Sequence, residues 1–312
     1  MVKEAAMARV GAFLVLVFFL YLPQVYSSPP LFAAEGRLLV FGRVHDDPVR
    51  SIRDRQEFVD YIAKKLAPLG IAGGKIMVVE KMHLLAQALR DGKVDLFHDS
   101  VAPTLVIFRA AGSIPILRQW KYDEPDYEGI IVVNKKSGFN SLADLKGKVI
   151  AFDEPHSTSA SILPRMLLEE KKLKSMEIKP HGTVKPDSIG YMYGADGSSL
   201  EVLVTGRADA AATIYRELDR LKPEIRDNLK VIGKTMAAPR QLLAVRKDLE
   251  AKIVTELKEV LINMDKNPEG QGVLKRQQNT TKFDAIPPES LVQMKKIEKY
   301  VFSSLGKEVD SW

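Results

Sequence analysis

Val149–Ile150–Ala151–Phe152–Asp153–Glu154–Pro155–His156–Ser157–Thr158–Ser159–Ala160–Ser161 is the stretch on which the reading of this chain turns. Its first four residues are an apolar strand pattern. Beyond the loop, Ile162, Leu163, Met166 and Leu167 recur on one face of a helix. Strand, loop, consecutive hydroxyl residues and helix together place free N–H groups and three hydroxyls at one crevice. A helix start carries about half a positive charge and binds anions without a formal cation. Ordinary N-capping explains one such hydroxyl, whereas Ser157, Thr158 and Ser159 supply three in a row. Pro164 removes the hydrogen bond to Ala160, so the helix is expected to start later or to kink there.

Upstream, Arg37–Phe41 is a first buried strand, left through Gly42–Pro48, which contains Arg43 and His45. Phe58, Val59, Ile62, Ala63 and Leu66 mark a helix closed by Gly70, followed by a strand over Lys75–Val79. Leu84, Leu85, Ala88 and Leu89 mark a second helix with Gly92 past its end, and Val94–Phe97 is a third strand. This β-α-β-α-β order is that of a parallel sheet covered by helices. His98–Asp99–Ser100–Val101–Ala102–Pro103 then lies at a strand's carboxyl end, where open α/β sheets bind ligands. A short helix, a strand around Ile114–Leu117 and the strand Gly129–Val133 follow, with Tyr127 just before that last strand.

From there the pattern restarts. Ser141 with Asp144 caps a short helix that Gly147 ends. Leu200–Val204 is helical, Gly206 stops it, and Ala208–Ala212 is a strand. Ala88–Asp95 and Val204–Asp209 rhyme: helix end, Gly, basic residue, small apolar residue, Asp, strand. The fold class expected is therefore α/β with two lobes, joined by two strand crossings around a ligand cleft. Gln241–Val245 is the strand that returns, after Leu229–Ile232, to the first lobe, and the helices Leu249–Met264 and Ser290–Val301 pack on it. The division expected is residues 36–129 with 238–312 for lobe 1 and 130–237 for lobe 2.

Composition narrows the rest. The chain has 312 residues, 46% hydrophobic and 28% charged, as in an ordinary globular protein. Lys3 and Arg9 flank the apolar run Val10–Leu22, which is shorter than the roughly 20 residues that cross a membrane. It reads as a signal peptide over residues 1–27, with cleavage as late as residue 34, against the alternative of an uncleaved anchor. The chain contains no cysteine, which excludes disulfides, thiolate zinc sites and a cysteine nucleophile. The net charge of +6 is mild and comes without a dense basic run, so nucleic acid is not the expected partner.

Ser137–Gly138–Phe139–Asn140–Ser141–Leu142–Ala143–Asp144–Leu145–Lys146–Gly147–Lys148, then Ala151–Phe152, Pro155–Ser159 and the later Gly206–Ala212, resemble the phosphate/phosphite/phosphonate (PhnD-like) substrate-binding proteins of ABC transporters. The resemblance covers most of the mature chain. It implies a type II periplasmic binding fold and an oxyanion cradle at Ser157, Thr158 and Ser159, with Tyr127 close to the ligand. The family usually carries Gly-Pro and a tyrosine where this chain has Asp99–Ser100–Val101–Ala102–Pro103, and a His where Asp196 stands. A carboxylate there would accept from a protonated phosphate, a ligand amine or a neighbouring Arg.

The function expected is a periplasmic protein, monomeric and without cofactor or metal, that closes on a small anion and delivers it to a membrane permease. Ser157–Ser159 would donate from lobe 2, and Tyr127, Ser100, Asp99, His45 and Arg43 would approach from lobe 1 or the hinge. Arg118 and Trp120 are candidates for the cleft wall, against a solvated strand end with one packed aromatic. Ligand sensing needs the same closure as transport, and a ligand without phosphorus needs only other donors. Catalysis would need His156 beside Ser157–Ser159, or Asp99 with His98. Sequence neighbours rarely reach nucleophile–base geometry, and no Gly-x-Ser-x-Gly elbow, P-loop or helical His pair occurs.

Overall fold

The computed structural model of the chain describes residues 36–178, 182–194 and 198–312. Twelve strands occur among them. They are β1 (Arg37–Val44), β2 (Ile71–Val79), β3 (Leu96–Asp99), β4 (Ile114–Lys121), β5 (Asp126–Asn134) and β6 (Val149–Phe152), then β7 (Ser175–Glu177), β8 (Ile189–Tyr193), β9 (Ala210–Thr213), β10 (Leu229–Pro239), β11 (Gln241–Val245) and β12 (Thr280–Asp284). They make two six-stranded sheets, ordered β12-β4-β11-β3-β1-β2 and β10-β5-β9-β6-β8-β7. Each sheet has the same heart. Three parallel strands, β2-β1-β3 in one and β8-β6-β9 in the other, meet an antiparallel strand, β11 or β5. The chain passes between sheets after β4 and again between Pro239 and Gln241. This is the two-lobed α/β fold expected.

The rhyming turns have a shared mechanism. Gly92 and Gly206 take positive φ, 67° and 73°, which frees the chain to leave the helix. Asp95 then accepts the Val40 N–H at 2.8 Å, and Asp209 accepts the Val149 N–H at 2.9 Å. Their own N–H groups donate back to Val40 and Val149. Each carboxylate therefore pins the first strand of its lobe to the turn before the third.

Boundaries shift for physical reasons. β3 starts at Leu96 rather than Val94, because the Lys93 and Val94 N–H groups both donate to the Ala88 carbonyl and close the preceding helix. The helix after β3 is not short. It runs Val101–Ala111, with Pro103 in its first turn, where no intrahelical donor is lost. Tyr127 lies inside β5, not before it, and β10 extends well past Ile232. The regular helix starts later than the hydroxyls, the first of the two outcomes expected from Pro164. A single wide turn over Thr158–Ile162 absorbs it, with the Ile162 N–H reaching the Ser157 carbonyl at 2.9 Å, and the regular helix starts at Leu163.

Apolar residues fill both faces of each sheet. In the first, Phe41, Phe58 and Phe283 pack as a contiguous aromatic group. Among the described residues no helix is long and apolar enough to cross a membrane. The apolar run Val10–Leu22 and its cleavage positions lie outside the described residues.

Candidate functional site

The hydroxyl triplet sits where β6 delivers it, at the mouth of the wide turn. Ser157 caps that turn, accepting the Ala160 N–H at 3.4 Å. Thr158 is 1% exposed and reaches across to the other lobe. Its hydroxyl accepts the Ala102 N–H at 2.9 Å and donates to the Ser100 hydroxyl at 3.0 Å. Ser100 and Ala102 open the helix after β3, so two helix starts, each at the carboxyl end of a parallel strand, face one another through Thr158. Ser159 and Thr158 also lie beside Tyr127, whose phenol is pushed up first by burial. Gly129 makes this approach possible, since a Cβ there would collide with the Ser159 carbonyl oxygen. Thus Ser157, Thr158, Ser159, Tyr127 and Ser100 are brought together.

Asp99 lies beside them but faces a different set. Its Oδ1 accepts the Ser100 N–H at 2.7 Å, and its Oδ2 lies 3.5 Å from the Arg43 guanidinium. It meets an arginine, one of the partners expected for a carboxylate here. His45 closes its own loop, its Nδ1 accepting the Asp47 N–H at 2.8 Å. Asp196 lies outside the described residues.

Arg118 corrects the expectation of a solvated strand end, while Trp120 is the packed aromatic of that reading. Arg118 is 7% exposed and saturated, bound bidentately to Asp284 and again by Asp126 at 3.1 Å. It ties β4 to β12 and to the start of β5, a structural clamp at the first crossing. Trp120 lies beneath the Lys282 ammonium, 3.8 Å from its ring centre. The catalytic pairings are not assembled either. His156 pairs with Glu154 at 2.9 Å and packs beside Trp312. His98 is buried, with Nδ1 on Gln119 at 2.6 Å, and burial holds it well below the usual histidine range.

Three residues escaped the sequence reading. Arg55 is 2% exposed, and its Nε and Nη2 have no hydrogen-bond partner. Burial, then Arg43, lowers it to about 10. Lys121 ends β4, donates to Gln278 at 3.0 Å and is lowered to about 8 by burial, with Arg240, Arg43 and Arg55 adding to it. Arg240 precedes β11 and is paired with Glu124 at 3.1 Å. The one usable signal was position: Lys121 and Arg240 flank the two crossings. A cavity of about 270 Å³ lies against Tyr127 and Arg240, lined also by Tyr215 and Arg216. A larger one of about 560 Å³ lies elsewhere, between the helix after β3 and the C-terminal turns around Phe302. Among the described residues no group of three or more His, Asp or Glu could hold a metal ion.

Two lobes joined by two crossings, with donors at facing strand ends, define a periplasmic-type solute-binding protein. More narrowly, the chain belongs to the family described as "ABC transporter, phosphonate, periplasmic substrate-binding protein", whose model matches residues 43–291. The phosphonates-binding periplasmic protein of Escherichia coli K12 is 26% identical over 259 residues, 80% of this chain and 72% of that protein. A Xanthomonas citri protein solved bound to chloride superposes with a TM-score of 0.79 at 23% identity, over 88% of this chain and 99% of that one. PhnD1 of Prochlorococcus marinus, solved with methylphosphonate, gives 0.61 at 19% identity, over 84% and 97%. The fold is thus type II periplasmic binding. The family's members are the periplasmic components that hand a small ligand to a membrane permease.

Proposed function

We propose that this chain captures a small phosphorus oxyanion, of the phosphate, phosphite or phosphonate type, and presents it to its permease as a monomer, without a bond being broken or a cofactor held. The observation that carries this reading is the Thr158 hydroxyl, which joins the two lobes at facing helix starts. A tetrahedral oxyanion accepts several hydrogen bonds at once, and Ser157, Thr158, Ser159, Tyr127 and Ser100 offer hydroxyl and backbone donors at one place. Hydrogen bonds to a charged partner contribute about 1.5–3 kcal/mol each. The methylphosphonate bound by PhnD1 of Prochlorococcus marinus supports the same ligand class. His156, held by Glu154, is not poised to act as a base on Ser157, which favours binding over catalysis. No basic surface run favours nucleic acid.

A thermal-shift panel of phosphate, phosphite, methylphosphonate, sulfate and acetate on the exported chain tests this. A ligand at 100 times its Kd adds about 2.7 kcal/mol, which raises Tm by roughly 5 °C for a chain of this size. Shifts confined to the phosphorus oxyanions are expected. Shifts with acetate alone, or none with any phosphorus compound, would contradict the assignment.

A further inference from the structure

The carboxyl edge of the first sheet holds more positive charge than its own carboxylates balance. Arg43 near the end of β1, Lys121 at the end of β4, Arg240 before β11 and Arg55 behind them sense one another electrostatically. Two carboxylates pair directly with these four cations: Asp99, at 3.5 Å from Arg43, and Glu124, at 3.1 Å from Arg240. Asp54 acts on Arg55 from a distance while lying 3.1 Å from Arg53. Glu154 is paired with His156, and Asp126 is bound to Arg118. Arg55 is buried with two nitrogens lacking any hydrogen-bond acceptor. A buried guanidinium with two nitrogens lacking acceptors opposes folding, so its presence calls for an anion that arrives later.

Tyr127 stands between this edge and the hydroxyl cradle. It lies beside Ser159 and Thr158 on one side, and the Arg240 guanidinium lies 5.3 Å from its ring centre. The two anion-seeking regions adjoin, since Asp99, which pairs with Arg43, is followed by Ser100 of the cradle, and they differ in kind. The cradle is neutral and hydroxyl-rich, while the sheet edge is cationic.

Resting on the oxyanion reading above, we propose that the cleft takes a doubly anionic ligand: a phosphonate or phosphate group in the Ser157–Ser159 cradle and a second acidic group, one short linker away, against Arg43, Arg55 and Lys121. A ligand with a single phosphonate leaves that cationic edge unanswered. The depressed values of Lys121 and Arg55, set first by burial and then by neighbouring cations, agree, since a second anion would relieve both.

The test is calorimetric titration, near pH 7, with methylphosphonate and methylenediphosphonate as probes. Wild-type protein is compared with Arg55→Met and Lys121→Met. Each added charged hydrogen bond gives about tenfold in affinity, so the diphosphonate is expected to bind at least about tenfold more tightly. The ratio of the two affinities should fall towards one in both variants. At the same time Tm of the unliganded variants should rise, because an uncompensated charge is gone; a merely structural role for these side chains predicts a fall. Lys121→Met, at a half-buried position, keeps the test open should Arg55→Met fail to fold. Methylphosphonate binding as tightly as the diphosphonate overturns this proposal and leaves the oxyanion reading standing. So does an affinity ratio unchanged in the variants. Failure of both probes to bind overturns both.

Discussion

At the scale of single residues, Asp153 carries a measurable penalty. It follows β6, accepts the Ser199 N–H at 3.2 Å, and is raised from 3.8 to about 6, by burial first and then by Glu154 and Glu217. The folded state thus holds a proton that the unfolded chain has released between pH 4 and 6. This group's penalty is fully present above pH 6 and disappears as pH falls towards 4. Asp153→Asn keeps the acceptor and removes the charge. Its unfolding free energy should exceed that of wild type by up to about 3 kcal/mol at pH 7.5 and by nothing at pH 4. Thermal melts at the two pH values check this, and a lower Tm for the variant at pH 7.5 would refute it. Ser157–Ser159 was legible because three hydroxyls stand together between a strand and a helix. Arg55 and Lys121 were not, since an unpaired buried cation looks in sequence like any solvated one.

Among elements, the two Gly-to-Asp turns are alike in sequence and unequal in setting. Asp95 is 2% exposed and holds Arg37 at 2.9 Å and Arg246 at 3.1 Å besides the Val40 N–H. Asp209 is half-buried and holds the Val149 N–H. Removing Asp95 leaves arginine charge beside the core and a buried strand donor unmet, so Asp95→Ala should lower stability by about 3–5 kcal/mol. Asp209→Ala should lower it by about 1–2 kcal/mol. Urea unfolding of both variants compares them, and equal losses would contradict the role assigned to the arginines. The repeat itself revealed two similar lobes. The wide turn at Thr158–Ile162 was half visible, because Pro164 announced a lost hydrogen bond without saying how the chain would accommodate it.

For the whole molecule, the crossings are where residues of both lobes converge. The first is a two-residue turn in which Tyr122 and Asp123 take positive φ, 57° and 63°, as a type I′ turn requires. Arg216 of the second lobe stacks on Tyr122 at 3.6 Å, and Arg240 of the second crossing lies 5.5 Å from the same ring. Both arginines also approach Glu124, at 3.7 and 3.1 Å. The crossing strands thus meet next to Ser157–Ser159, so a ligand held there, as proposed above, would sit beside both crossings. No local pattern foretold this, because Tyr122, Arg216 and Arg240 are distant in sequence and converge only when both lobes are formed. The most direct measurement is calorimetric titration of methylphosphonate into wild-type protein and into a Ser157→Ala/Thr158→Ala variant. Saturable one-site binding that weakens by at least about tenfold in the variant, with Tm of the unliganded protein changed by no more than a few degrees, is the predicted result. Equal affinity in the two proteins would contradict the cradle.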